Sequence, residues 1–219
     1  MKFNFKLVTG IFFIMFIALG FVGGWWDEIG VELFSKTDPP AVRQESDPPA
    51  IVIVQPKLIG WEDAKKSWEI EADKIWQSKG GNQNHYFFEK IKRGVVFSIK
   101  DNRVDFTAGW ARLERSRSEI SLGGGLEAKI DEATIKTSEG MVNYKQEDMV
   151  CPKPVIYQKK DTLIKADKMT LHLKNDEILL EGDVQFFENK DLMKADGLLY
   201  NTKNKKYDLI TPKEIILYP

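Results

Sequence analysis

The pattern of apolar and polar positions divides the chain into three stretches. The first is an apolar run from Leu7 to Trp26, interrupted only by Thr9 and glycines. About 20 residues at ~1.5 Å rise match a hydrocarbon core of ~30 Å. No charge falls inside the run; Lys2 and Lys6 precede it, and Trp25, Trp26, Asp27, Glu28 and Glu32 close and follow it. Indoles suit the lipid–water interface and basic flanks stay cytoplasmic, so the pattern predicts one transmembrane helix over 7–26 with residues 1–6 in the cytoplasm. A cleaved signal peptide is the competing reading. Its apolar region is shorter and ends in a small-x-small site, whereas this run ends on Trp-Trp, and Ala18-Leu19-Gly20 lies inside it.

The second stretch, residues 27–56, has little periodicity and becomes proline-rich from residue 35. Asp38-Pro39-Pro40-Ala41-Val42 is echoed by Asp47-Pro48-Pro49-Ala50-Ile51. Paired prolines favour extended polyproline II, so this reads as a stiff spacer. Ile51 to Val54 is the one piece that also reads as a first strand.

The third stretch, residues 57–219, is strand-like throughout. Runs such as Val184-Gln185-Phe186-Phe187 and Leu192-Met193-Lys194-Ala195 flank turn signals such as Glu188-Asn189-Lys190-Asp191. That is the grammar of antiparallel hairpins. Trp68, Ile70 and Ala72 alternate with Glu69, Glu71 and Asp73, which predicts a strand with a solvated acidic face rather than a helix.

The third stretch also repeats. Trp68-Glu69-Ile70-Glu71-Ala72-Asp73-Lys74, Leu163-Ile164-Lys165-Ala166-Asp167-Lys168 and Leu192-Met193-Lys194-Ala195-Asp196 share one phrase, and Ala108 and Thr137 fit its small-residue slot. The slot falls at 72, 108, 137, 166 and 195, so after a first gap of 36 residues the spacing is 29 each time. Such a period, with two strands per unit, predicts stacked layers that bury one continuous interior. Three residues after the slot stand Ile75, Met169 and Leu198, which have the opposite parity. A bulge at the Asp would let both positions face inward, as in a jelly-roll-like sandwich. A flat sheet partly covered on both faces is the other solution. By parity, the inward set is Trp68, Ile70 and Ala72; Val95 and Phe97; Phe106 and Ala108; and Leu126. It continues with Val155; Ile164 and Ala166; Val184 and Phe186; and Met193 and Ala195. The terminal run Glu214-Ile215-Ile216-Leu217-Tyr218 is an apolar edge strand suited to pairing with another domain.

Charge and chemistry narrow the picture mainly by exclusion. The chain carries 32 basic and 33 acidic side chains, with no basic excess to suggest nucleic acid. Its single cysteine, Cys151, rules out an intrachain disulfide and reads as a small buried hydrophobe. His85 and His172 stand apart in the sequence, and no zinc, nucleotide or serine-hydrolase motif is present. Gly123–Gly125 reads as a turn or bulge. The repeated Ala-Asp reads as a layer-closing turn rather than a row of metal ligands. Neither an enzyme, nor a cofactor, nor a metal site is expected.

The third stretch resembles the LptC-like and OstA-like proteins of lipopolysaccharide export. The resemblance lies in Gly60-Trp61-Glu62 with Trp68-Glu69-Ile70-Glu71-Ala72, then Gly182-Asp183-Val184, Leu192-Met193-Lys194-Ala195-Asp196 and Tyr200, behind one expected anchor. It implies a twisted β-jelly-roll with an open seam on a single-pass inner-membrane protein, its body in the periplasm. It further implies that the interior receives lipopolysaccharide acyl chains and hands them on. The implied partners are inner-membrane ABC transporter permeases and a periplasmic OstA-like bridging protein. The inward set then lines a lipid groove; the alternatives are a dry core and an anchored scaffold of an envelope complex that binds no lipid.

Overall fold

A computed structural model describes residues 49–78, 85–98 and 103–217. The expected cytoplasmic segment, anchor and most of the spacer lie outside the described residues. Among those described, no helix is long and apolar enough to cross a membrane.

The described chain folds as one antiparallel sheet of 14 strands. They are β1 (Pro49–Val54), β2 (Lys57–Glu62), β3 (Lys65–Ser78), β4 (His85–Phe97), β5 (Arg103–Glu114), β6 (Glu119–Ile130) and β7 (Ala133–Asn143). Then come β8 (Asp148–Cys151), β9 (Val155–Lys159), β10 (Thr162–Ala166), β11 (Lys168–His172), β12 (Glu177–Glu188), β13 (Asp191–Asn201) and β14 (Tyr207–Ile216). Three crossings of the body are each broken into two short strands. β2 and β1 pair with successive parts of β3; β9 and β8 with successive parts of β7; β10 and β11 with successive parts of β12.

Every crossing is bent near its middle. Register shifts fall at Glu71/Ala72, Ile91/Gly94, Thr107/Trp110, Gly123/Leu126 and Glu181/Val184. Elsewhere the chain breaks outright, at Gln55-Pro56, at Pro152–Pro154 and at Asp167. Proline cannot donate to the ladder, so it sits where the ladder is already interrupted. The bends line up and fold the sheet into two facing leaves. The first leaf contains β2, β9, β10 and the adjoining halves of the long strands; the second contains β1, β8, β11 and the remaining halves.

The expected parity switch is present. The slot residues Ala72, Ala108, Thr137, Ala166 and Ala195 are buried, and so are Ile75, Ala111, Gly140, Met169 and Leu198 three residues later. An apolar pattern that a straight strand would split between two faces therefore fills one interior, and the flat-sheet solution falls away.

Two differences from the sequence reading concern the first crossing. Pro49–Val54, within the expected spacer, is strand β1, pairing Ile53 with Ile75 and Val54 with Lys74. The sheet thus begins before Lys57, as the apolar run Ile51–Val54 allowed. Glu69, expected on a solvated face, is only 4% exposed. Lys57 Nζ lies 2.9 Å from its carboxylate, Arg93 Nη1 3.7 Å, and the Lys66 ammonium also bonds it. The hydrogen bonds from Lys57 and Lys66 hold its pKa at about 2, well below the usual carboxylate range. Lys57 belongs to β2 and Arg93 to β4, so this carboxylate ties the edge crossing to the next two strands.

Glycines set beside aromatic rings fix the spacing of the early layers. Gly60 pairs with Trp68 and Gly94 with Phe106, and a Cβ built on either would fall 2.1 Å from the ring. Each ring lies over the neighbouring backbone in the space a side chain would need. This explains why a glycine precedes the tryptophans of the first repeat.

Candidate functional site: the interior, its seam and its ends

Residues paired directly across antiparallel strands share a face, so the ladder registers sort the inward set. Trp68 and Ile70 pair with Val96 and Gly94; these pair with Val104 and Phe106; Phe106 pairs with Ala128. The row continues through Leu126 and Thr137, Val155 and Ala166, Ile164 and Phe186, and Met193, with Val184 opposite Ala195. All of these are buried.

Val95 and Phe97 are corrections. Val95, itself buried at 1% exposure, pairs with Glu69 and Asp105, and Phe97 with Arg103, a row opposite in parity to Trp68 and Ile70. The bulge between Ile91 and Gly94 adds one residue to β4 and reverses its parity, so Val96 faces inward instead. Lys66 Nζ lies 5.0 Å from the centre of the half-buried Phe97 ring, from outside.

The interior is filled. Within it lies a cavity of about 20 Å³, lined by Ala133, Tyr157, Leu171, Ile178 and Thr202 among others. The Tyr157 hydroxyl is buried without a hydrogen-bond partner among the described residues, and burial pushes its pKa well up. That volume suits about one water molecule. A wider depression of about 260 Å³ on the outer face is edged by Lys92, Arg93, Asp105, Glu127 and Lys129. Its charges are taken up by ion pairs, such as Lys92 with Asp73 at 2.5 Å and Lys129 with Glu127 at 3.7 Å.

Opposite the bends, contacts between the leaves close the seam. At the early end, Trp68 meets Tyr144 with ring centres 6.2 Å apart. Ser98 Oγ donates to Glu147 Oε2 at 2.5 Å, and Lys145 Nζ lies 3.8 Å from Glu62 Oε1. At the late end, Tyr157 meets Tyr200 at 5.9 Å and Phe186 meets Tyr207 at 4.8 Å.

Among the described residues, no strand pairs beyond β1 and β2 at one end of the stack or beyond β14 at the other. On β1, Ile51 and Ile53 share the inward face with Gln77 and Ile75, yet are 49% and 48% exposed. On β14, Ile215 pairs with the inward Met193 and is 55% exposed. Glu214, Ile215 and Ile216 form the last part of β14, which pairs only with β13 among the described residues; Leu217 follows the strand. Tyr218, expected in the same strand, lies outside the described residues.

The remaining polar candidates are structural. Asp73 pairs with Lys92, and Asp196 with Lys213 at 2.5 Å; the Asp167 N–H donates to the Gly182 carbonyl at 2.9 Å. The repeated acids thus serve separate layers, and among the described residues no cluster of three metal-ligating side chains occurs. His172 Nδ1 lies 2.9 Å from Asp148 Oδ1, joining β11 to β8. Cys151 is fully buried, its thiol pushed up to about 12 by burial, which leaves it unreactive.

A family model described as "Lipopolysaccharide-assembly, LptC-related" matches residues 12–189. The chain belongs to the LptC-related family. Its role accordingly lies in lipopolysaccharide transport, carried by an envelope-associated β-domain, and it is a transport component rather than an enzyme. Lipopolysaccharide is the molecule that this membership brings. Among solved structures, it is similar to LptH, the LptA-homologous periplasmic component of the lipopolysaccharide transport device of Pseudomonas aeruginosa. That likeness has 12% identity and a TM-score of 0.48, covering 53% of this chain and 95% of LptH. No curated protein matches the sequence.

Proposed function

We propose that this protein is a single-pass inner-membrane component whose periplasmic body takes lipopolysaccharide acyl chains between its two leaves and passes them to a stacked OstA-like domain. The domain division follows the sequence reading: cytoplasmic residues 1–6, anchor 7–26, spacer to the first strand, then the jelly-roll. ABC transporter permeases in the same membrane would deliver the lipid.

The carrying observation is an apolar interior that runs through every layer and ends, at both edges, in inward-facing apolar side chains left exposed. A self-sufficient core would bury them. A stack that continues into a neighbouring domain leaves them for that neighbour. Each acyl CH₂ buried in such an interior contributes roughly 0.8 kcal/mol, so a few chains are held firmly with no covalent chemistry.

A photo-crosslinker at Phe106 or Phe186 tests the lipid path; labelling of lipopolysaccharide in cells is the expected result. The scaffold reading has the filled interior on its side. Crosslinks to protein alone at both positions would establish it instead. The edge strand is tested separately. Deleting residues 213–219 should leave the fold intact and abolish capture of the periplasmic partner; retained capture in a pull-down refutes the strand-addition part alone.

A further inference from the structure

One row of inward positions crosses the whole first leaf. Direct cross-strand pairs carry it from Leu58 to Ile215, passing Phe106, Ile135, Tyr157 and Phe186. Every other position in it is apolar or glycine, so the Tyr157 hydroxyl, near the middle, is the only side-chain oxygen or nitrogen in the row. It is also one of three buried side-chain polar atoms without a hydrogen-bond partner among the described residues. The others belong to His85 and Trp110, and of the three residues only Tyr157 lines the interior cavity. In the neighbouring row, by contrast, the buried Thr137 hydroxyl donates to the Lys153 carbonyl at 3.5 Å. A buried donor left unpaired by its own chain marks a place for a partner from outside it.

The cavity lies between the leaves and changes character across its walls. Ala133 of β7, Leu171 of β11 and Ile178 of β12 are apolar and buried. Asp131 is exposed, and Lys159 and Thr202 are half-buried, with Lys159 Nζ donating to the Thr202 carbonyl at 3.4 Å. The site thus runs from an apolar floor, past one hydroxyl, to a polar rim at solvent. An acyl group attached to a polar head has the same order: hydrocarbon, carbonyl, head. Burial, with Tyr200 and Asp131 nearby, raises the Tyr157 pKa, so its hydroxyl stays protonated and able to donate. A donor among hydrocarbon walls calls for an acceptor oxygen, and a single placed polar group is what orients a ligand in an apolar site. The space beside it, about 20 Å³, takes one oxygen atom.

We propose that Tyr157 and this cavity hold the carbonyl oxygen of an acyl chain, with the hydrocarbon along the inward row and the polar head at the rim formed by Lys159 and Thr202. The proposal rests on the lipid-groove reading and adds a fixed point to it. Chains are then held at one depth rather than anywhere along a uniform apolar path.

The test uses the full chain and purified lipopolysaccharide below saturation, with the photo-crosslinker at Phe186, which is joined to Tyr157 through Ile164. Tyr157→Phe removes one oxygen and keeps the ring. Labelling should fall several-fold, while binding of diphenylhexatriene, a hydrocarbon dye with no acceptor oxygen, should be unchanged. Undiminished labelling, in a variant whose parent is labelled, overturns the site and leaves the hydroxyl with a water for its partner. Equal loss of lipopolysaccharide and dye also overturns it, because packing of the ring then accounts for both. Should Tyr157→Phe fail to fold, Ala133→Val decides the site by the same labelling, since it keeps the hydroxyl and fills the space beside it. A parent labelled by lipopolysaccharide at neither Phe106 nor Phe186 is a failure of the groove reading itself, and the site falls with it.

Discussion

Phe186 and Ile215 occupy equivalent inward positions two crossings apart, yet one is fully buried and the other is 55% exposed. Both face the space between the leaves, both are large and apolar, and both belong to antiparallel strands. The difference is only that Phe186 has a crossing on each side of it and Ile215 has one. In a stacked protein, burial is a property of position in the stack rather than of residue type. The exposed apolar residues at the edges are therefore unfinished core.

That contrast gives the largest expected effect. Phe186→Ala should cost ~3–5 kcal/mol because it opens a cavity in a filled interior, whereas Ile215→Ala should lie within ~0.5 kcal/mol. Urea unfolding of the two variants measures both, and a similar loss for each would erase the distinction between middle and edge. Gly94→Ala comes next. A methyl group there meets the Phe106 ring, so a loss of ~1–3 kcal/mol is expected from overpacking, read as a lowered urea midpoint.

The smallest effect sharpens how the first edge is held. Glu69 has a native pKa of about 2 against an ordinary 4.5, so its stabilising contribution is full above pH 4.5 and is lost as pH falls through 2. Glu69→Gln should flatten the acid limb of stability over that window, measured as urea midpoint against pH. An unchanged slope would mean that β2 is tied down by its ladder alone.

Much of this fold was legible because it repeats. The 29-residue recurrence of the small slot and the opposite parity three residues later required a bend, and both were readable from Ala166 and Met169 or Ala195 and Leu198. What stayed hidden depended on partners far away in sequence or on a local change of count. The bulge in β4 moved Val95 and Phe97 out of the inward row, and no apolar pattern marks an inserted residue inside Lys90–Arg93. The burial of Glu69 needs Lys57 and Arg93 to arrive from the two neighbouring strands beside Lys66 of its own. The seam contacts join residues such as Ser98 and Glu147, whose meeting no local signal announces. The apolar run Ile51–Val54 did signal β1, but the neighbouring prolines argued for a spacer, and pairing with β3 decided it.

The aligned bends also bear on how such a body changes over evolutionary time. One 29-residue unit contains two crossings and one complete turn of the repeat. Neighbouring strands lie ~4.8 Å apart, so duplicating a unit lengthens the body by ~10 Å while leaving both terminal edges as they were. Length is thereby adjustable in fixed steps, and the two terminal edges are inherited unaltered.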